Sequence, residues 1–186
     1  MNIRDEARES DDIEDVSVPL DKVMNCITSC VHVTHVNDVL EHKKNLMHVL
    51  LLCLSPGLTW TVKVSAFPSI KELCLRLHSI LEDSNEAILQ ASATSFVQEL
   101  RTGVAPKIIE CVITIKIAQV HVAASKCLLE ITKLCKHISS VHWTETGIKG
   151  ELLNQIEAEK NEQAKSLLRK CVEILENLEQ ANIQET

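Results

Sequence analysis

The sequence predicts an all-α protein made of antiparallel helical hairpins joined by short loops. Its 186 residues contain only four glycines and four prolines, so few turns interrupt the chain. Apolar residues recur at steps of three and four, which places them on one face of a helix, and no strand-like alternation stands out. Hydrophobic residues make up 45% of the sequence, which is enough to form a core.

Two regions differ in composition. Residues 1–16 are acidic and polar and predict a disordered tail, whereas residues 17–182 carry the helical pattern and predict one helical repeat domain. The first helix is predicted to begin at Pro19, a residue that the first turn of a helix tolerates. A second helix is predicted over about 36–54, and the Ser-Pro-Gly sequence at 55–57 ends it.

The third helix is predicted to begin at Thr59, whose hydroxyl can accept a hydrogen bond from an unpaired N–H of the first turn. Trp60 and Phe67 belong to its apolar face, and we expect both to be buried against a neighbouring helix. Pro68 removes one backbone hydrogen bond and clashes with the preceding turn, so it predicts a kink in this helix.

A fourth helix is predicted to be capped by Ser84 or Asn85. The residues expected on its inner face are Ile88, Leu89, Ala91, Phe96, Val97 and Leu100. The sequence from Gly103 to Pro106 predicts a break, and a short, strongly apolar helix is predicted from Ile108 to Ile115.

The stretch at 116–135 repeats the pattern of the third helix with a shift of 58 residues. Small residues align with small ones and large with large, as Ala66 does with Ala124 and Leu73 with Ile131. This self-similarity favours repeated hairpin units. The final segment, with apolar patches at 152–156 and 164–178, predicts either one long helix or a hairpin broken near 158–162. Its polar outer face is typical of a terminal capping repeat.

Most of the eight cysteines sit singly within apolar helical faces, which indicates buried, reduced thiols rather than disulfides. These cysteines are Cys53, Cys74, Cys111, Cys127, Cys135 and Cys171. The segment CITSCVHVTH is different, because it holds four zinc-ligand residue types in a short window: Cys26, Cys30, His32 and His35. The two cysteines share a helix face, but at about 100° per residue the two histidines point away from it. A helix end with exposed histidines is therefore favoured over a zinc site.

No catalytic motif is evident. The histidines without a nucleophile at motif spacing are His121, His137 and His142. A charged group near the C-terminus could suggest acid–base chemistry, but charges on a terminal helix normally form a solvated face. Its members are Glu157, Glu159, Lys160 and Glu162. Trp60 and Trp143 are expected to anchor the core. We therefore expect no catalytic, cofactor-binding or metal-binding residues and no enzymatic activity.

Charge and hydropathy limit the classes of partner. The formal charge of −7 and the scarcity of aromatic residues argue against a nucleic-acid partner. The longest apolar run, residues 49–54, is too short to insert into a membrane, and the acidic N-terminus is unlike a signal or transit peptide. We expect a soluble, cytoplasmic protein, with the nucleus left open as a second compartment.

The stretches TWTVKVSAFPSIKELCLRL and KIAQVHVAASKCLLEITKL, followed by the polar last helix, resemble HEAT repeats. More narrowly, residues 36–180 resemble the C-terminal end of the very large HEAT-repeat proteasome adaptor and scaffold proteins, in a plant-like form. The resemblance implies a HEAT/armadillo-like α-solenoid and a non-catalytic scaffold that binds protein partners, above all the proteasome. Because those proteins are many times longer, the chain would correspond to a fragment, a truncated gene product or a separate short form.

Two other functions stay open at the level of sequence. The first is a HEAT/armadillo-type adaptor in transport or trafficking, which would use the same architecture with a different partner. The second, which the sequence favours less, is a small metal-dependent or thiol-dependent enzyme. The sequence alone does not identify the binding face for any of them.

Overall fold

The computed structural model describes residues 19–138 and 147–184, and the regular structure within these ranges is helical, as the sequence predicts. The predicted tail at 1–16 lies outside them. The helices are α1 (Leu20–Val33), α2 (Val36–Glu41), α3 (Lys43–Cys53), α4 (Trp60–Asp83), α5 (Ala87–Glu99), α6 (Ala105–Thr114), α7 (Ala118–Leu134), α8 (Ile148–Ala158) and α9 (Glu162–Gln184).

Four of the helices contact one another in sequence order across the molecule. α1 packs on α4, α4 on α7, and α7 on α9. The intervening helices also contact one another, α2 with α5 and α6 with α8. α5 packs on α4, α6 on α7, and α8 on α9. Buried hydrophobic side chains from α1 through α9 form a single cluster, so the described helices share one core.

α4 crosses the middle of this arrangement and runs through Pro68, which is exposed. Phe67 is buried as predicted, with 3% of its surface accessible, but the prediction for Trp60 is wrong, because Trp60 is 43% exposed. Trp60 is the first residue of α4, and helical side chains lean toward the N-terminus, so its ring projects past the helix end. Thr59 occupies the N-cap position, but its hydroxyl pairs with that of Thr61 (2.8 Å) instead of a backbone N–H.

The predicted break from Gly103 to Pro106 is also wrong. Leu100–Val104 form a wide π-helical turn that joins α5 to α6, and the N–H of Ala105 donates to the carbonyl of Leu100. Pro106 then lies in the first turn of α6, where its missing N–H costs little. Gly103 lies within this turn, where a Cβ would make an ordinary van der Waals contact of 3.4 Å with Cε of Met47 on α3.

The start of α5 differs from the prediction as well. Phe96, Val97 and Leu100 are buried, but Ile88 is 89% exposed and Ala91 is exposed too. At about 100° per residue, Ile88 lies on the side of α5 opposite to Val97, so the two cannot face the same core. The hydroxyl of Ser84 accepts a hydrogen bond from the N–H of Glu86 (3.1 Å), just before α5 begins.

Two predicted helices are divided. The helix expected over 36–54 is split at His42 into α2 and α3. The final segment follows the hairpin alternative, since residues 159–161 separate α8 from α9, and the two helices pack together. The predicted helix at 116–135 appears as α7, which continues into a 3-10 turn at Cys135–His137.

Candidate functional site

A groove of about 450 Å³ opens at the junction between α1 and α2. One wall is formed by the end of α1 and the start of α2, including Val33 and Val36, and the other by the last turns of α4 and the start of α5. Arg76, Ile80 and Leu89 belong to this second wall. We call this feature the junction groove.

Arg76 holds the groove in shape. Its Nε donates to the carbonyl of Val31 (3.2 Å), and its Nη2 donates to the carbonyls of His32 (2.5 Å) and Thr34 (2.9 Å). The last carbonyls of a helix have no partner within the helix, and they carry partial negative charge. The guanidinium therefore provides hydrogen-bond donors for the unpaired carbonyls at the end of α1, and these bonds hold the end of α1 against α4. Glu72, one turn earlier on α4, also contacts the end of α1, with Oε1 3.0 Å from Nδ1 of His32.

Two apolar side chains in or next to the lining segments of the junction groove face solvent. Val33 is 78% exposed and Ile88 is 89% exposed, the highest values among the large hydrophobic residues of the described chain. Val33 lines the groove, whereas Ile88 does not line it but directly precedes Leu89, which does. Single exposed apolar residues are ordinary, but two such residues in segments that form one groove favour contact with another molecule there.

The structure separates the four residues of the proposed zinc segment. Cys26 and Cys30 are exposed on α1, and His32 pairs with Glu72. His35 is the N-cap of α2, and its Nδ1 accepts a hydrogen bond from the N–H of Asn37 (3.4 Å). Within the described ranges, no three of the four side chains come close enough together to hold a metal ion.

His121 and Glu159 form a buried pair that the sequence did not reveal. Nδ1 of His121 lies 2.7 Å from Oε2 of Glu159, and the carboxylate side chain is only 2% exposed. The expectation of a solvated face at Glu159 is therefore wrong. Glu159 lies in the loop between α8 and α9, and this loop turns the carboxylate inward onto the first turns of α7.

Each polar atom of this pair has a structural partner. Nε2 of His121 faces the carbonyl of Ile115 (2.5 Å), so this nitrogen carries a proton and donates it. Oε1 of Glu159 accepts from the N–H of Asn161 (2.8 Å), and Oδ1 of Asn161 accepts from the N–H of Ala164 (3.0 Å) in the first turn of α9. The pair thus joins the start of α7 to the start of α9.

A cleft of about 580 Å³ opens beside this pair, between the ends of α6 and α8 and the starts of α7 and α9. The residues that line it include Lys116 and Lys160 but no cysteine, serine or threonine. Because both nitrogens of His121 are already engaged, the ring is not free to act as a general base. The cleft therefore offers binding space without an activated nucleophile.

The remaining candidates are dispersed. Glu157, Lys160 and Glu162 are exposed, as expected for a solvated face. His137 lies on the 3-10 turn after α7, with Nε2 3.4 Å from Oε1 of Glu82. His142 and Trp143 lie outside the described residues.

The predicted burial of six cysteines is confirmed. Burial raises the pKa of all six thiols: Cys53, Cys74, Cys111, Cys127, Cys135 and Cys171. For Cys171 the pKa rises to about 12. Since the thiolate is the nucleophile, these side chains are poorly suited to catalysis.

Sequence reasoning missed Val33 and Arg76, which line the junction groove, and the exposure of Ile88 next to the lining residue Leu89. The exposure of Ile88 could have been predicted, because at about 100° per residue it lies on the opposite side of the helix from Val97. For Arg76 no signal existed, because its three partners lie more than 40 positions away in the sequence.

The chain can also be compared with membrane proteins and with known families. No helix in the described ranges has both the length and the hydrophobicity needed to cross a bilayer. Comparison of the chain with known protein families, with curated proteins and with solved structures found no match. Any proposal about the family, the repeat architecture or the partner therefore rests on the sequence resemblance and on the geometry described above.

Proposed function

We propose that the chain is a non-catalytic protein-binding module whose helices stack as HEAT-like hairpins, and that its partner is the proteasome. The observation that carries the binding role is the junction groove, with Val33 exposed in its lining and Ile88 exposed next to the lining residue Leu89. Apolar side chains beside a groove with a polar rim are typical of contact surfaces between proteins. The proteasome is proposed from the sequence resemblance.

Burial patterns support the proposed repeat. With the shift of 58 residues, α4 aligns with α7, and most aligned positions share their degree of burial. Ala66 and Ala124 are both buried, as are Leu73 and Ile131, whereas Glu72 and Glu130 are both partly exposed. α4 and α7 also pack directly on each other. Equivalent helices with equivalent buried faces are what stacked repeat units produce.

The chemistry of the described residues supports a role without catalysis. The buried thiols have raised pKa values, and His121 is held by two partners. The cleft beside His121 contains no hydroxyl or thiol nucleophile. A scaffold needs only a stable surface, which these interactions maintain.

The test measures binding of the purified chain to purified proteasomes. The double variant Val33→Ser/Ile88→Ser should lower the affinity at least about tenfold, the effect of losing an apolar anchor at the centre of an interface. Its matched control is Leu52→Ser/Leu153→Ser, which removes two apolar side chains of 45% and 44% exposure on α3 and α8. Both double variants should keep the helical circular dichroism of the parent chain.

Each part of the proposal can fail separately. If the unchanged chain does not bind purified proteasomes, the partner is wrong, and an adaptor role in transport or trafficking takes its place. If the chain binds and both double variants lose the same affinity, the junction groove is not the contact surface. Selective loss in Val33→Ser/Ile88→Ser supports the proposal.

A further inference from the structure

Three side chains with metal-ligating atoms meet at one end of the contact between α4 and α7. His78 and Glu82 are one helical turn apart on α4, so they point to the same side of the helix. His137 comes from the 3-10 turn that follows α7. None of the three lines the junction groove, although His78 and Glu82 lie on the same turns of α4 as its lining residues Ser79 and Asp83.

The distances between the ligand atoms of these side chains are slightly longer than in a metal-bound site, as expected when no ion is bound. One nitrogen of each histidine and one oxygen of Glu82 all lie within 4.8 Å of one another. Nε2 of His137 is 3.4 Å from Oε1 of Glu82, and the two imidazole rings stand at 63° to each other. In a tetrahedral zinc site the ligand atoms are about 3.3 Å apart, given metal–ligand bonds of about 2.0–2.1 Å. His78 and Glu82 are exposed, so their rotamers can adjust to close the remaining gap.

The ligand types select a class of metal. Imidazole nitrogens favour Zn²⁺, Cu²⁺ and Ni²⁺, whereas Mg²⁺ and Ca²⁺ require oxygen ligands. Nε2 of His137 already faces the Glu82 carboxylate, so this nitrogen points into the cluster. Two imidazoles and one carboxylate give three protein ligands and leave one position open.

Lys136 would compete with a metal ion for the carboxylate of Glu82. Its ammonium lies 2.5 Å from Oε1 of Glu82, the same oxygen that faces His137. This contact holds the carboxylate beside the two rings. A metal ion entering the site would have to displace Lys136 from Glu82, and the lysine would be repelled by the bound cation.

We propose that His78, Glu82 and His137 form a binding site for one zinc ion, and that Lys136 opposes its binding. A bound ion would link the last turns of α4 to the end of α7. Binding of the ion neither makes nor breaks a covalent bond between heavy atoms of the chain. Each ligand atom gives up a water molecule, a proton or its contact with Lys136 and binds the metal in its place. The site is independent of the proposed binding to the proteasome.

The test is a calorimetric titration of Zn²⁺ into the untagged full-length chain at neutral pH. The parent for all measurements carries Cys26→Ser and Cys30→Ser, which removes the two exposed thiols as competing ligands. We expect one zinc ion per chain, a rise in the unfolding temperature with added Zn²⁺, and no response to Mg²⁺. His78→Ala and Glu82→Gln should each lower the affinity at least about tenfold.

Two further variants separate this site from general surface binding. His32→Ala is the matched control, because His32 also pairs with a carboxylate of α4, Glu72, but has no third ligand beside it. It should leave zinc binding unchanged. Lys136→Gln should raise the affinity by up to about fivefold, which corresponds to the strength of an exposed ion pair.

The outcome of the titration is decisive in both directions. All variants replace exposed side chains, so circular dichroism should show the parent fold in each. The proposal is overturned if the parent chain shows no saturable zinc binding. It is overturned equally if His32→Ala weakens binding as much as His78→Ala does. Loss in the His78 and Glu82 variants, with His32→Ala unchanged, supports it.

Discussion

At the scale of single residues, position within a helix decides what an aromatic side chain contributes. Phe67 and Trp60 lie two turns apart on α4, yet the first is 3% exposed and the second 43%. We expect Phe67→Ala to cost about 3–5 kcal/mol of unfolding free energy, the usual range for deleting a large buried side chain. Trp60→Ala should cost about 1 kcal/mol. Urea denaturation measures both, and a larger loss for Trp60→Ala would contradict the exposed position of its ring.

Burial also predicts which cysteine thiols react in the native chain. The native chain should expose two reactive thiols out of eight to a thiol reagent at mildly alkaline pH, namely Cys26 and Cys30. The other six have raised pKa values, so the fraction of reactive thiolate is small at this pH, and burial also blocks access. All eight should react once the chain is unfolded in denaturant. In the Cys26→Ser/Cys30→Ser variant, rapid labelling of the native state should disappear; persistent labelling would place another thiol at the surface.

At the scale of elements, one buried carboxylate joins three segments. Glu159 contacts His121 at the start of α7 and the N–H of Asn161 just before α9, while lying itself after α8. Removing the carboxylate leaves Nδ1 of His121 and the N–H of Asn161 without their hydrogen-bond partner in a largely buried environment. Glu159→Ala should therefore cost about 1–3 kcal/mol of unfolding free energy.

Glu157→Ala is the matched control, since it removes an exposed glutamate two positions away. Its cost should stay within about 0.5 kcal/mol, as is usual for surface substitutions. Chemical denaturation of the two variants gives the comparison. Equal stabilities would mean that the contact between His121 and Glu159 does not hold α7 to the loop before α9.

The helices themselves could be predicted from sequence because their signals are local. The apolar spacing of α1, α4 and α7 repeats every three or four residues, and this spacing does not depend on distant parts of the chain. The predicted break from Gly103 to Pro106 was wrong because it considered two helix-breaking residue types without the helices on either side of them. The π-helical turn includes Gly103 and leads into the first turn of α6, where Pro106 is tolerated.

The candidate sites could not be predicted in the same way. Glu159 lies within a polar stretch, and its burial depends on α7 passing beside the loop. His78 and Glu82 show the spacing of a shared helix face, but the third ligand, His137, is 55 positions further along the chain than Glu82. Such clusters form only when α4 and α7 pack together, which local periodicity does not determine.

At the scale of the whole molecule, α9 covers one end of the helices that contact one another in order. It packs on α7 and α8, and its buried side is formed by Ala164, Leu168, Cys171, Val172 and Leu175. The opposite side carries charged residues that face solvent. A terminal element of this kind shields a hydrophobic face that would otherwise be exposed, as capping units of repeat proteins do.

Removal of α9 should therefore destabilise the whole domain. A chain that ends at residue 160 would expose the surface of α7 that contacts α9, and we expect it to bind a hydrophobic dye, to self-associate and to unfold at a lower temperature than the full chain. Deletion of residues 1–16, the predicted tail, is the control and should leave the unfolding temperature unchanged. Calorimetry and size-exclusion chromatography distinguish the two deletions. If the chain without α9 remained monomeric with an unchanged transition, α9 would be an appendage rather than part of the shared core.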